Sequence, residues 1–401
     1  MAELALNGGT PVRTKPFHPW PVFDGKEKQA LIEVLESRTW GTLGPRVGRF
    51  EELFAEYLGC RHALGVCNGT VSLEAILRAL MVGPGDEVVV PPYTFVATVS
   101  AVLSVGAVPV FADIDPRTNC VDPAAVENAV TDRTRAVIVV HMGGYPCDMD
   151  PVMGAAGRRG IPVIEDTAQA PGSEYRGRRL GTIGTAGSFS FQLSKNMSAG
   201  EGGAITTDDD SLADLCWSVH HCGRGRAGAW YGHPFLGSNY RMTDWQAAVL
   251  IPQLERLDEQ IGRRERNAAL LNRRVDEIPG LAAFRRDGYV TRHTWHLYQF
   301  RYRKEEFGGL PKGRFVEALA AEGVPCSTGY VPLNREPFIT HPYVRRITGD
   351  RDYSALTLPG LDRACEETVW ITQNVLLGSE EDIDDAARAL EKIRRFSHEL
   401  V

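Results

Sequence analysis

Lys195 stands in the run 187–203, GSFSFQLSKNMSAGEGG. Ser188, Phe189, Ser190 and Phe191 alternate like a strand, with phenyl groups on one face and hydroxyls on the other. This strand delivers the lysine into small polar residues, and a glycine turn at 200–203 leads at once into a second strand-like run at 204–207. An ε-amine held between two strands is poorly sited as a solvated surface charge. Partly desolvated, it loses its proton more readily and acts as an amine nucleophile able to form a Schiff base. Two other stretches offer matching chemistry. Asn68-Gly69-Thr70 joins a strand end to a helix start, where outward backbone amides and the helix dipole make an anion seat and Thr70 adds a hydroxyl. Asp166 closes the apolar run Val163-Ile164-Glu165 at the strand edge where open α/β sheets bind ligands. Taken alone, the first is an ordinary helix cap and the second a cap for a helix starting after it.

These residues need a scaffold, and the chain supplies an alternation of strands and helices. The pattern predicts helices over 26–37 and 47–58, the second stopped by Gly59. Strands follow at 62–67, 87–90, 108–111, 136–141 and 163–166, with helices over 71–81, 93–103 and 150–159. The βα rhythm implies a mostly parallel sheet covered on both faces. Beyond the lysine, 211–221 is helical, 222–240 is a Gly/aromatic loop, and 243–277 is one long helix or two in succession. Near residue 260 the rhythm changes to an alternating strand at 294–302, a helix at 312–322, a strand at 368–371 and a last helix at 380–396. The expected division is an extended N-terminal arm (1–25), a large domain (26–260) and a smaller α+β domain (261–401).

Composition narrows the function classes. The chain has 401 residues, 43% of them hydrophobic, which is ample for more than one core. A net charge of -7 gives no electrostatic case for nucleic acid or an anionic membrane surface. The opening residues lack the apolar centre of a signal peptide, and no apolar run reaches membrane-spanning length. Eight cysteines lie scattered without a CxxC pair, which reads as reduced thiols in a cytoplasmic protein with no zinc site.

Five segments in order, NGT, PPYTF, EDTAQA, SFQLSKNMSAGEGG and NYRMTDWQAA, resemble the motifs of the DegT/DnrJ/EryC1/StrS family. These are pyridoxal-phosphate (PLP) aminotransferases that aminate keto-sugars and cyclitols. The resemblance runs from Trp20 to the final helix. It implies the type I aminotransferase fold, with a large mixed seven-stranded sheet domain and a smaller C-terminal domain, and a homodimer with shared active sites. It implies Lys195 as the cofactor lysine and Asp166 as the carboxylate that keeps the cofactor's ring nitrogen protonated. Gln169 would reach the ring hydroxyl if a helix starts at Asp166. Phe95, in register with the family's aromatic and preferred to Tyr93, would stack on the ring. Gly69, Thr70 and Ser190 would hold the phosphate. Asn239 resembles the asparagine that reaches the phosphate of the other subunit. Trp295, His296 and Tyr330 match positions facing the substrate. His141 reads as a satisfied strand-end histidine. The implied reaction takes an amino group from glutamine or glutamate and delivers it to a keto-sugar or keto-cyclitol. Two alternatives stand beside it: a PLP-dependent dehydrating and aromatising enzyme of the aminohydroxybenzoate synthase type, and a non-catalytic regulatory relative. A retained Lys195 argues against the sugar 3-dehydratase branch, where a histidine replaces it.

Overall fold

The computed structural model describes residues 3–41 and 44–401, and a seven-stranded sheet dominates it. Across the sheet the strands run His62–Val66, Gly203–Thr207, Ala186–Ser190, Val163–Asp166, Thr134–Val140, Glu87–Val90, Val108–Phe111. Gly203–Thr207 is antiparallel to both neighbours, and every other pairing is parallel. Runs such as Val88-Val89-Val90 and Val137 to Val140 are buried on both faces, which is why they read as continuous apolar stretches.

The strand leading to Lys195 displays both faces. Phe189 meets Phe54 edge-on at 5.0 Å, and Phe191, just past the strand end, meets Phe50 at 5.5 Å. Both partners lie on helix Pro45–Leu58. Ser188 points the other way and pairs with Ser72 of helix Gly69–Ala79. One strand thus joins two helical layers, as its alternation required.

Residues 243–277, open between one helix and two, form the single helix Asp244–Asp276 of 33 residues, with Pro252 inside. Its first part packs through Ala247, Leu250, Leu254 and Leu257 on the phenylalanine layer, and its last part through Ala268, Leu271 and Val275 into a second core. Around that core lies a four-stranded antiparallel sheet ordered Leu281–Ala283, Leu297–Tyr302, Thr368–Thr372, Cys326–Ser327. Helix Glu380–Arg395 closes it with Ile383, Leu390 and Ile393 inward.

Packing and chain order diverge at two places. Leu4 and Phe17 of the N-terminal stretch belong to the second core. Arg13 anchors them by reaching Asp382 at 2.7 Å and Asp385 at 2.8 Å. Conversely Leu333, Ile339, Val344 and Leu361 join the core of the large sheet. Among the described residues no helix is long and apolar enough to cross a membrane.

Candidate active site

The C-terminal ends of the parallel strands open onto a cavity of about 990 Å³. The large sheet contributes the start of helix Gly69–Ala79, Phe95, Asp166, Gln169, Ser190 and Lys195 to its wall. His296 and Gln373 come from the region of the second core, Tyr330 from a later segment packed on the core of the large sheet, and Trp20 from the N-terminal stretch. This is the edge at which doubly wound sheets bind ligands, because loops from several strands converge there.

Lys195 is half-buried in the loop after Ala186–Ser190. Backbone bonds hold that loop: Ala199 N donates to Phe191 O at 3.0 Å, Leu193 N to Gly200 O at 3.0 Å, and Lys195 N to Gln192 O at 2.9 Å. Desolvation brings the ammonium down to about 8, against the opposing pull of Asp166. Near neutral pH a useful fraction of the amine is then unprotonated, the form in which it attacks a carbonyl.

Asp166 is buried. Its Oδ2 accepts from Thr98 Oγ1 at 2.9 Å and its Oδ1 from Ala168 N at 3.2 Å. Burial pushes the carboxyl up, while Thr98, Ala168, Lys195 and His141 pull it back. Behind it Cys147 N donates to His141 Nδ1 at 3.0 Å, so the imidazole carries its proton on Nε2 and donates that to Glu165 at 3.0 Å. Burial pushes Glu165 up as well, but His141 and the amides of Gly181 and Gly184 outweigh it and hold the carboxyl below its ordinary value. His141 is therefore satisfied within the protein.

No helix starts at Asp166, contrary to the condition placed on Gln169. The chain turns instead, with Ala170 N donating to Thr167 O at 2.9 Å. Gln169 is positioned by that turn: its Oε1 accepts from Gly143 N at 2.7 Å and its Nε2 donates to Tyr330 Oη at 3.0 Å. The glutamine thus ties the two halves of the cavity together.

At the far end, Asn68 caps helix Gly69–Ala79 by accepting from Val71 N at 3.0 Å. The first-turn amides of Gly69 and Thr70 have no acceptor within the helix. A Cβ at Gly69 would lie 2.7 Å from Ser190 Cβ, so glycine is what lets the strand and its hydroxyl approach the helix start. Gly69, Thr70 and Ser190 line this end of the cavity together, and amides at a helix start are groups that can receive an anion.

Phe95 keeps 55% of its surface exposed and lines the cavity, whereas Tyr93 is fully buried. Tyr330 also lines it, its hydroxyl pushed up to about 12 by burial. His296 is buried on the cavity wall and driven well below its ordinary value by desolvation, with Lys195 and Arg264 adding to the effect. Two expected residues lie elsewhere in this chain. Trp295 is stacked on His293 at 4.0 Å inside the second core and does not line the cavity. Its backbone is left-handed, with a φ of 52°. Asn239 sits at the exposed base of the 222–240 loop, bridged to His221, and is likewise not on the wall.

Sequence reasoning missed Thr98, Asn196, Trp20 and Gln373. Thr98 follows Thr94 by one helical turn, and a ladder of hydroxyls beside Asp166 was a usable signal. Nothing in the local sequence marks the other three, because their partners lie 98 residues or more along the chain.

Residues 21–391 match the DegT/DnrJ/EryC1/StrS aminotransferase family. The chain belongs to that family. It is 40% identical, over 99% of both chains, to the L-glutamine:2-deoxy-scyllo-inosose aminotransferase of Streptoalloteichus tenebrarius. It is 39% identical, over 98% of both, to the enzyme of that name from Streptomyces paromomycinus. The crystal structure of 3-amino-5-hydroxybenzoic acid synthase matches with a TM-score of 0.89 at 34% identity, covering 96% of this chain and 100% of that one. An aminotransferase from Psychrobacter cryohalolentis matches with a TM-score of 0.86 at 31% identity, covering 96% and 100%. This member of the DegT/DnrJ/EryC1/StrS family is thus an aminotransferase by sequence and by fold. Of the five motifs read along the chain, the first four converge on the cavity described above.

Proposed function

We propose that the chain is a PLP-dependent aminotransferase that takes its amino group from L-glutamine and delivers it to a keto-cyclitol. The observation that carries the reading is Lys195, a half-buried amine brought to about 8 in the same cavity as the buried carboxylate of Asp166. The names of the relatives at about 40% identity supply the donor and the acceptor class.

The residues fit the cofactor. Lys195 would hold it through Nζ, and the buried carboxylate of Asp166 would meet its ring nitrogen. Phe95 would cover the ring face, Gln169 would sit at the ring edge, and the amides of Gly69 and Thr70 with the Ser190 hydroxyl would receive the phosphate. Bound PLP supplies an electron sink that lets an amino group leave one carbon and be delivered to another. The chain does the rest. Lys195 Nζ would take up the proton that leaves the donor's α-carbon, a role its lowered basicity suits. Trp20, Tyr330 and Trp370 wall the cavity against bulk water.

A homodimer with shared sites completes this reading. Trp230, Tyr231 and Leu236 are exposed at 57%, 83% and 79% on the loop that ends at Asn239. A second copy of the chain would cover them and receive Asn239 at its phosphate seat. The aromatising alternative draws support from the likeness to 3-amino-5-hydroxybenzoic acid synthase. The test incubates the PLP-loaded protein with glutamine and a panel of keto-cyclitols and keto-sugars, with product analysis by mass. An amino-cyclitol is expected. Loss of water from a cyclic ketone without net amination would overturn the proposal in favour of the alternative.

A further inference from the structure

Arg264 lies on helix Asp244–Asp276 and is fully buried. Its hydrogen bonds among the described residues go to one neutral acceptor. Nε donates to Gln373 Oε1 at 3.0 Å, Nη2 donates to the same oxygen, and the buried Nη1 has no partner. A guanidinium buried against an amide oxygen alone is costly, since only a paired charge offsets its lost hydration. Burial accordingly pulls it down to about 9.

The pair orients Gln373. Arginine has donors only, so the glutamine oxygen is consumed and its Nε2 is left to face elsewhere. Gln373 forms part of the cavity wall, and its Nε2 has no hydrogen-bond partner among the described residues. Trp20 lies over the guanidinium at 5.4 Å and borders the same cavity. His296 on that wall stands in the field of both Lys195 and Arg264. The cavity wall thus carries an amide donor polarised by a buried cation, and that cation has no ion-pair partner among the described residues.

We propose that Gln373 is a contact for the α-carboxylate of the amino-acid donor, with Arg264 behind it as the positioning residue that orients the amide and supplies the compensating charge. This rests on the aminotransferase reading above. Every α-amino acid brings a carboxylate one bond from its reacting carbon, whereas an uncharged polyol ketone gains little from a buried cation. Donor and acceptor use the cavity in turn, so a lesion here separates them.

The experiment titrates the enzyme calorimetrically with glutaramate, which is glutamine without its α-amino group and cannot react. It also measures KM for glutamine and for the acceptor ketone. Gln373→Glu keeps an acceptor for Arg264, and hence the fold, but sets a negative charge where the carboxylate would bind. Its thermal midpoint should equal or exceed wild type, since the glutamate pairs the buried guanidinium, while glutaramate binding weakens and KM for glutamine rises, each by at least about tenfold, and KM for the ketone stays within about twofold. Arg264→Met should behave likewise, and Arg264→Lys should recover part of the loss. Unchanged glutaramate binding in Gln373→Glu, or equal losses for donor and acceptor, would overturn the assignment. If wild-type enzyme transfers nothing from any amino acid, the functional reading falls and takes this one with it. Transfer with unaltered glutaramate binding sinks the carboxylate contact alone.

Discussion

Asn196 Oδ1 lies 3.1 Å from His296 Nδ1, and the amide nitrogen of Asn196 donates to the Thr294 carbonyl at 2.7 Å. A carbonyl only accepts, so the asparagine must turn its oxygen to the histidine. Nδ1 of His296 therefore carries the proton, and the lone pair of Nε2 is left on the side of the cavity that Lys195 shares. The residue next to the lysine thus sets the tautomer of a histidine a hundred positions away.

Asn196→Leu should release that tautomer. The expected outcome is a kcat lower by roughly tenfold with cofactor loading unchanged, since removing an aligned hydrogen bond misorients a group without emptying the site. Steady-state kinetics beside an absorbance measurement of loading checks it. Unchanged kcat would mean that the His296 tautomer does not matter to turnover.

Borohydride reduction of the PLP-loaded protein should fix the cofactor on Lys195, read by peptide mapping. Lys195→Ala should yield no reduced adduct. Recovery of the adduct at another lysine would displace Lys195 from its assigned role.

Asp166→Asn should fold normally, because an amide of the same shape can keep contacts with Thr98 and Ala168. Transfer should fall at least about a hundredfold, since a neutral amide does not hold a ring nitrogen protonated. Near-normal turnover would reduce Asp166 to a turn residue.

Capture of PLP by the cofactor-free protein should depend on pH through the Lys195 amine. Its ordinary value near 10.5 is lowered to about 8 by desolvation. Below 8 the ammonium form dominates and cannot attack, so the rate should rise about tenfold per unit toward pH 8 and level off above it. Stopped-flow absorbance at several pH values measures it. A rate still climbing steeply from pH 9 to 10 would show an amine with ordinary basicity.

Mixing two inactive variants tests the shared site. Lys195→Ala and Asn239→Ala, unfolded and refolded together, should form mixed dimers in half the pairings, each with one intact site. Activity should return to roughly a quarter of wild type. No recovery would place both residues in one chain's site, and a fully active Asn239→Ala would remove Asn239 from the cofactor.

The sequence by itself determined the parallel sheet and its chemistry-bearing ends. Strands such as Val108–Phe111 and Val163–Asp166 are short apolar runs bounded by turn residues, so local pattern specifies them to the residue. Lys195, Asp166, Gly69 and Phe95 follow those strand ends, and topology then brings strand ends together on one edge. What tertiary structure decided is everything that depends on a partner far along the chain. Asp166 is followed by a turn instead of a helix, because Gln169 is held by Gly143 and Tyr330. Trp295 packs into the second core, where its indole stacks on His293 and neighbours Tyr298. Arg264 reads as one more polar position on a charged helix face, and only the fold buries it against Gln373, 109 residues away. Local pattern carries backbone preference and burial. Which buried polar group meets which is settled only when the two segments are in contact, because a hydrogen bond has no signature in the sequence around either end.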